Sequence, residues 1–381
     1  MISLRSAAEI LRELVAIPTP SSVSNLPLLR WVAEFLGRRG WQSKLFSYDD
    51  EAGVPKANLI AWPGAGELPE QIDLAFICHT DTVPYKADWT AALKLEERDG
   101  QLHGCGSCDV KGSLACFLAA VSGVDASAIR ERVALILTAD EEIGCKGMER
   151  LLTETKLRIG AAIVSEPTSL RAGVAGKGYG LARIVVHGRE AHSAFPGQGV
   201  SAISVAARLI TRIEDAMNRS DVRTDTLFDP PRTTVNVGVI EGGTAKNILA
   251  GRCLFLVEWR PVPGEDPAAM LGRLRELVDE MSKAQPRAEI ELIALRAEPG
   301  FAPAKAGSLQ GQLAGLLNSE PTGICFGSEA SRVARVADEV IVIGPGDMRT
   351  AHSERECVPR DELEAWTRAL VRVVTDRSPE Q

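Results

Sequence analysis

Apolar and polar positions change rhythm along the chain, and each rhythm predicts a different kind of element. Over 6–16 apolar residues recur at helical spacing with charges between them, and a second helix is expected over 28–39, after the turn-rich "IPTPSS", which also offers an N-cap. Five strand candidates follow, "WQSKLFSY", "ANLIAWPG", "IDLAFICHT", "RVALILTAD" and "AAIVSEP", with a helix over 112–121 between the third and fourth. The last three are short continuous apolar runs, the pattern of strands covered on both faces. Helices alternating with buried strands predict an α/β domain with a mixed, largely parallel sheet.

Near Gly176 the rhythm becomes strict alternation. "YGLARIVVHG" and "TTVNVGVIEG", with parts of "GRCLFLVEWRP" and "AEIELIAL", read as strands with one exposed face. Helices over 200–218 and 267–283 separate them, the second opening on Pro267. Strand, helix, strand, strand, helix, strand is the split βαβ plan, ferredoxin-like, with four antiparallel strands and two helices on one face. After Ala294 the first rhythm returns, with a helix over 308–317, a strand at "EVIVIGPG" and an amphipathic helix over 360–374. The expected organisation is a discontinuous α/β domain, 1–176 and 294–381, interrupted by an α+β domain at 177–293.

Composition narrows the function classes. The 381 residues carry a formal net charge of −8, which argues against nucleic acid or anionic membrane as a partner, since both are gripped by clustered Lys and Arg. No apolar run approaches the roughly 20 residues that span a bilayer. "MISLRSAAEILRELV" lacks the basic segment, apolar core and cleavage site of a signal peptide, so a cytoplasmic location is expected. Eight cysteines spread over this length are expected as reduced thiols. Cys105 and Cys108 form the only C-x-x-C, without the second pair a structural zinc site would want.

The chemistry lies where the buried strands end. "LAFIC" ends in His79 and Asp81, "ALILTA" in Asp140, Glu141 and Glu142, "AIVS" in Glu166, and "VIVIGPG" is followed by His352. Asp109 sits on a Gly-rich turn before a helix that it could simply cap. In a parallel sheet the carboxyl ends of strands lie side by side, where open α/β folds bind ligands. Each residue alone has a bland explanation as a rim, turn or capping group; solvated charges, however, have no reason to prefer the same end of successive buried strands. Crowded carboxylates cost several kcal/mol in repulsion and desolvation unless cations join them. Two His with three Asp/Glu suit Zn²⁺, with Co²⁺ or Mn²⁺ as substitutes, and one bridging carboxylate would let five side chains hold two ions about 3.5–4 Å apart. Asp81, two residues beyond His79, is expected to accept its other ring N–H and fix the tautomer.

"HTDTVP", "GCGSCDVKGSLA", "TADEEIGCKG", "SEPT", "GREAHSAFPGQGVSAI" and "GPGDMRTAHSERE" occur in this order and at matching spacing. As a set they resemble the M20 metallopeptidase and deacylase family, nearly end to end. The resemblance implies a zinc-peptidase-like catalytic domain and an inserted lid and dimerisation domain. It implies that Asp109 bridges two zinc ions, that His79 and Glu166 complete one site and Glu142 and His352 the other, and that the Asp109–Val110 peptide is cis. Glu141 would act as general base and acid, and His192 of the inserted domain would stabilise the oxyanion across a homodimer interface. His103 and His187 match nothing and are expected to be structural.

Within the family the wording leans toward enzymes that act on N-acetylornithine, releasing ornithine for arginine synthesis; a succinyl-diaminopimelate desuccinylase or a carboxypeptidase or dipeptidase is the alternative, and a non-catalytic binding homologue the third reading. "VEWRPVPG" implies that Arg260 clamps a substrate carboxylate, with Asn247 nearby. Lys177 is a candidate extra cation. Glu329, in "FGSEASRVA", is a candidate partner for a side-chain ammonium. Cys105 stands where many relatives carry Arg or Leu, a departure that bears on the substrate.

Overall fold

The computed structural model describes residues 5–217, 223–304 and 307–375; position 218, the expected end of the helix begun near 200, lies outside them. In chain order the elements are α1 (Ala7–Ala16), α2 (Leu26–Gly37), β1 (Trp41–Asp49), β2 (Pro55–Pro63), β3 (Gln71–His79), β4 (Glu96–Arg98), β5 (Gln101–His103), α3 (Lys111–Ser122), β6 (Val133–Thr138), α4 (Lys146–Glu154), β7 (Arg158–Val164) and β8 (Gly173–Gly176). They continue with β9 (Tyr179–His187), α5 (Ala202–Met217), β10 (Thr234–Gly242), β11 (Arg252–Arg260), α6 (Pro267–Ala284) and β12 (Glu289–Glu298). The last are α7 (Ser308–Leu317), β13 (Thr322–Ile324), α8 (Ala330–Val333), β14 (Ala337–Val342), β15 (Cys357–Pro359) and α9 (Arg360–Thr375).

An eight-stranded sheet runs β1-β2-β6-β3-β7-β14-β8-β13. Its centre is parallel: β3 pairs in parallel with β6 and β7, and β7 with β14. β1 and β2 are antiparallel additions at one side. All six residues of β6 are buried, as are the last six of β3, as their unbroken apolar runs require. α3 is buried along nearly its whole length, packed between α1 and α9, and its Phe117 stacks on Phe76 of β3 at 4.6 Å. A helix apolar on every side belongs in such a core.

Two local expectations change. α1 starts with a full capping box, Ser6 and Glu9 each satisfying the other's backbone, but α2 is capped at Asn25, outside "IPTPSS" and without a side-chain cap bond. The Asn25 amide is spent elsewhere: it donates to the Ala57 carbonyl and the Thr80 hydroxyl and accepts from the Ala57 N–H. A small sheet, β15-β5-β4, was not legible in the alternation, because three-residue strands are shorter than any periodic window.

The second compact unit spans Ala175–Ala302 with Gly323–Gly327, the first the rest of the described chain. The expected return point at 294 falls inside β12, which runs to Glu298, and Phe301 still bridges Gly176. The unit is a four-stranded antiparallel sheet in the order β10-β11-β9-β12. Ala182, Ile184 and Val186 of β9 and Cys253, Phe255, Val257 and Trp259 of β11 share one core with α5 and α6, which puts both helices on the same face.

Candidate metal centre

The four parallel strands deliver their carboxyl ends to one edge, where four of the five predicted donors lie at or beyond the strand ends; Asp109 comes from the turn between β5 and α3. His79 is the last residue of β3. Its Nδ1 lies 2.9 Å from the Asp81 carbonyl oxygen, which fixes the tautomer and turns Nε2 toward Asp109 Oδ1 at 3.1 Å. The other oxygen, Asp109 Oδ2, is 3.0 Å from His352 Nε2, which is also 3.1 Å from Glu142. The two Asp109 oxygens thus face different imidazoles.

Asp109 does not cap α3; the N-cap is Val110, with no side-chain cap bond, and the Asp109–Val110 peptide is cis. Its turn is shaped by Gly106, at φ +78°, where a side chain would press on Lys111 and Thr82. Glu356 holds the turn from below, Oε1 accepting from the N–H groups of Cys108 and Asp109 at 3.2 Å each. That residue was missed; its only sequence trace is a second acidic residue four positions after His352.

Potential ligand atoms of His79, Asp109 and Glu166 lie within 4.8 Å of one another, and so do those of Asp109, Glu142 and His352. Asp109 belongs to both groups. The five predicted donors therefore converge, as two triads joined at one carboxylate.

The electrostatics show what such a set lacks by itself. Burial, with the charges of Glu141 and Asp109, pushes the Glu166 carboxyl well above its usual range. Burial likewise raises Glu142, and it raises Glu141 to about 8, where the Glu142 and Glu329 charges add to the effect. Burial also opposes charge on Asp109, yet hydrogen bonds from His352 and His79 hold it well below the ordinary carboxylate value. His352 is drawn up to about 10 by Asp109 and Glu142. Neutral imidazoles and ionised carboxylates, the ligating forms, become favourable together when divalent charge is present. The donors, two ring nitrogens and three carboxylates in a buried nest, fit a pair of divalent transition-metal ions.

Other predicted residues fall out as follows. The Asp81 carboxylate is 3.8 Å from His79 Nδ1, so the tautomer is set by its carbonyl instead; the carboxylate is occupied by the Ser21 hydroxyl and the N–H groups of Glu141 and Glu142. Glu141 Oε1 accepts from the Cys145 thiol at 3.3 Å, a partner distinct from those of Glu142. Glu329 is buried in the same unit, its Oε1 making no hydrogen bond to the described residues, and burial raises its carboxyl to about 7. Cys105 and Cys108 are buried free thiols; burial raises Cys105 to about 11 and Cys108 well above the usual thiol value, which leaves no ready thiolate at either.

In the second unit, His192 and Asn247 are brought together: His192 bridges Ile248, and the Ser193 N–H donates to the Asn247 carbonyl at 2.9 Å. Both side chains are exposed. Arg260 lies 4.4 Å over the Tyr179 ring and pairs through Nε with Glu258 at 2.8 Å. Lys177 is corrected: it is neither a free cation nor solvated. Its ammonium is buried and donates to the carbonyls of Pro230 and Arg232 at 2.8 and 2.6 Å, which leaves it a structural tie.

Comparison with known proteins matches residues 75–376 to the model of the peptidase family M20/M25/M40. An acetylornithine deacetylase from Myxococcus xanthus is 40% identical over 367 residues, covering 96% of this chain and 95% of that one. One from Yersinia pseudotuberculosis is 30% identical over 384 residues, covering 98% and 97%. Among solved structures, a tripeptidase from Staphylococcus aureus superposes with a TM-score of 0.79 at 20% identity over 98% of each chain. A dinuclear metal-binding M20 peptidase from Bacillus subtilis does so with a TM-score of 0.66 at 14% identity over 97% of each chain. Among the described residues, no helix is long and apolar enough to cross a membrane.

Proposed function

Because the chain belongs to the peptidase family M20/M25/M40 and is a hydrolase, we propose that it cleaves the amide bond of N-acyl amino acids, N-acetylornithine foremost, giving ornithine and acetate. The carrying observation is Asp109, shared between two triads whose geometry could hold metal ions, with Glu141 next to Glu142 in the chain. His79 and Glu166 would hold one ion, Glu142 and His352 the other, and Asp109 both; the nitrogen and oxygen donors suit zinc, with cobalt or manganese able to substitute. When bound, such a pair lowers the pKa of a water and polarises an acyl carbonyl. Glu141, outside both triads, takes the proton of the attacking water and passes it to the leaving amine. His192 serves as a donor to the oxyanion, within a homodimer joined through the second unit. Arg260 binds the α-carboxylate, and Asn247, adjacent to His192 in the chain's packing, lines the same ligand.

The choice of N-acetylornithine is supported by the identity to acetylornithine deacetylases and by Glu329, whose buried carboxylate suits an ammonium better than the carboxylate of a succinyl group. The test is a panel on zinc-loaded and chelator-stripped protein, comparing acetylated amino acids, succinyl-diaminopimelate and dipeptides. N-acetylornithine is expected to give the highest kcat/KM, and the stripped protein to regain activity with zinc. Fastest turnover of the succinyl compound or of a dipeptide would replace this substrate while keeping the hydrolase. Light scattering of the same preparation reads the dimer.

A further inference from the structure

Behind the clustered donors the first unit holds a second set of buried polar groups that the reaction does not consume. Lys56, on β2, is 1% exposed; its ammonium donates to the carbonyls of Ser21 and Val23 at 2.6 and 2.7 Å and forms an ion pair with Asp140 Oδ1 at 3.1 Å. Tyr48, directly opposite Lys56 on β1, donates to Asp140 Oδ2 at 2.9 Å. The Ser21 hydroxyl donates to Asp81 Oδ2 at 2.7 Å. Asp81 in turn accepts the Glu141 N–H on Oδ1 at 3.0 Å and the Glu142 N–H on Oδ2 at 3.2 Å. The links close into a loop from Lys56 through Ser21 and Asp81 to residues 141–142, and back through Asp140.

We propose that Lys56 and Ser21 are positioning residues which, through Asp140 and Asp81, lock the backbone of 140–142 so that the adjacent carboxylates of Glu141 and Glu142 keep separate tasks. The inference rests on the reading that Glu142 holds metal while Glu141 moves protons. Neighbouring side chains on an irregular turn have no periodicity to separate them; a modest rotation between their peptides would bring both carboxylates to the ions or neither. Each of the two N–H groups is pinned to a different oxygen of one carboxylate, which fixes the plane of the peptide between them. On the upstream side Asp140 sits at φ +58°, a conformation L residues rarely adopt, and its carboxylate is held from both sides by Lys56 and Tyr48.

The composition of the clamp supports a directing task over simple cohesion. Lys56 and Asp140 form an ion pair removed from water, and such a pair is commonly matched or surpassed in stability by apolar residues of the same volume. What apolar packing lacks is direction. The strands contribute rigidity: Lys56 and Tyr48 are opposed across the β1–β2 ladder, so the anchor moves only if the sheet does.

Three variants of the full chain test this: Ser21→Ala, Ser21→Thr, and Lys56→Met with Asp140→Asn, the last removing both charges together so that neither is left buried alone. Each is loaded with Co²⁺ and read by its visible absorption spectrum, Co²⁺ affinity, thermal midpoint, and kcat and KM for N-acetyl-L-ornithine. Ser21→Ala and the double variant are expected to lose about 10–100-fold in kcat or Co²⁺ affinity, as partners that orient ligands do, with KM little changed and a displaced Co²⁺ spectrum. Ser21→Thr, which keeps the hydroxyl, is expected to recover most of that loss. An unaltered Co²⁺ spectrum and kcat in Ser21→Ala, or a loss that tracks the thermal midpoint alone, overturns the clamp. A wild-type protein that binds Co²⁺ yet hydrolyses no N-acyl amino acid overturns the functional reading instead, and the spectra of the variants still decide the clamp.

Discussion

At the scale of single residues, the proposed division of labour makes Glu141 and the five donors separable by experiment. Glu141→Gln keeps the shape and the packing against Cys145 but removes the proton carrier, so kcat is expected to fall about 10²–10⁴-fold while the metal content by elemental analysis stays at the wild-type value. Loss of metal in parallel with activity would make Glu141 a ligand. Glu329→Gln is expected to raise KM for N-acetylornithine far more than for N-acetylmethionine, which has no ammonium to lose; equal changes would remove Glu329 from side-chain recognition. Four of the five candidate donors were readable because their sequence positions, at or just beyond the ends of apolar runs, translate directly into one edge of a parallel sheet; Asp109, on a Gly-rich turn, was assigned its bridging role by the family resemblance. Lys56 and Ser21 were not readable. A lysine at the start of a strand reads as solvated, and its two carbonyl acceptors and its ion-pair partner come from positions 21, 23 and 140, which nothing in the linear order brings together. Lys177 misled for the same reason, since its burial is set by carbonyls of a loop more than fifty residues away.

At the scale of elements, the turn from β6 into α4 is tightly held. Gly147, in the first turn of α4, approaches so closely that a Cβ there would lie 2.2 Å from the Ala139 carbonyl and 2.6 Å from Asn58 Oδ1. Asn58 itself accepts from the Ala139 N–H and donates to the Gly147 carbonyl, tying both ends of the turn to β2. Gly147→Ala is therefore expected to cost about 1–3 kcal/mol, as overpacking does, and to lower kcat, because the displaced atoms lead into Asp140, Glu141 and Glu142. Urea denaturation with parallel kinetics checks this, and a variant of full stability and activity would show the turn to be pliable. Most long elements were legible through period and length, including the βαββαβ order of the second unit, but the nine-residue α4 was not among the expected helices. Short ones were not legible: β4, β5, β8 and β13 have three or four residues each, and their pairing depends on neighbours rather than on their own pattern.

At the scale of the whole molecule, all five candidate metal donors belong to one compact unit, while the other has a core of its own built from α5, α6 and the inner faces of β9 and β11. Linkage then assigns the effect of metal unequally. An ion that binds only the folded form stabilises by about 4 kcal/mol when its free concentration is a thousandfold above Kd, which for a unit of this size raises the midpoint by roughly 10 °C. Scanning calorimetry is expected to resolve two transitions, one that moves down on chelation and returns with zinc, and one that does not move. Assignment follows from a variant: Asp109→Asn, which weakens both triads at their shared member, should abolish the zinc-dependent shift and leave the second transition in place. A single transition that shifts as one with zinc would instead mean that the units unfold together, so that metal bound in the first is felt through the whole chain.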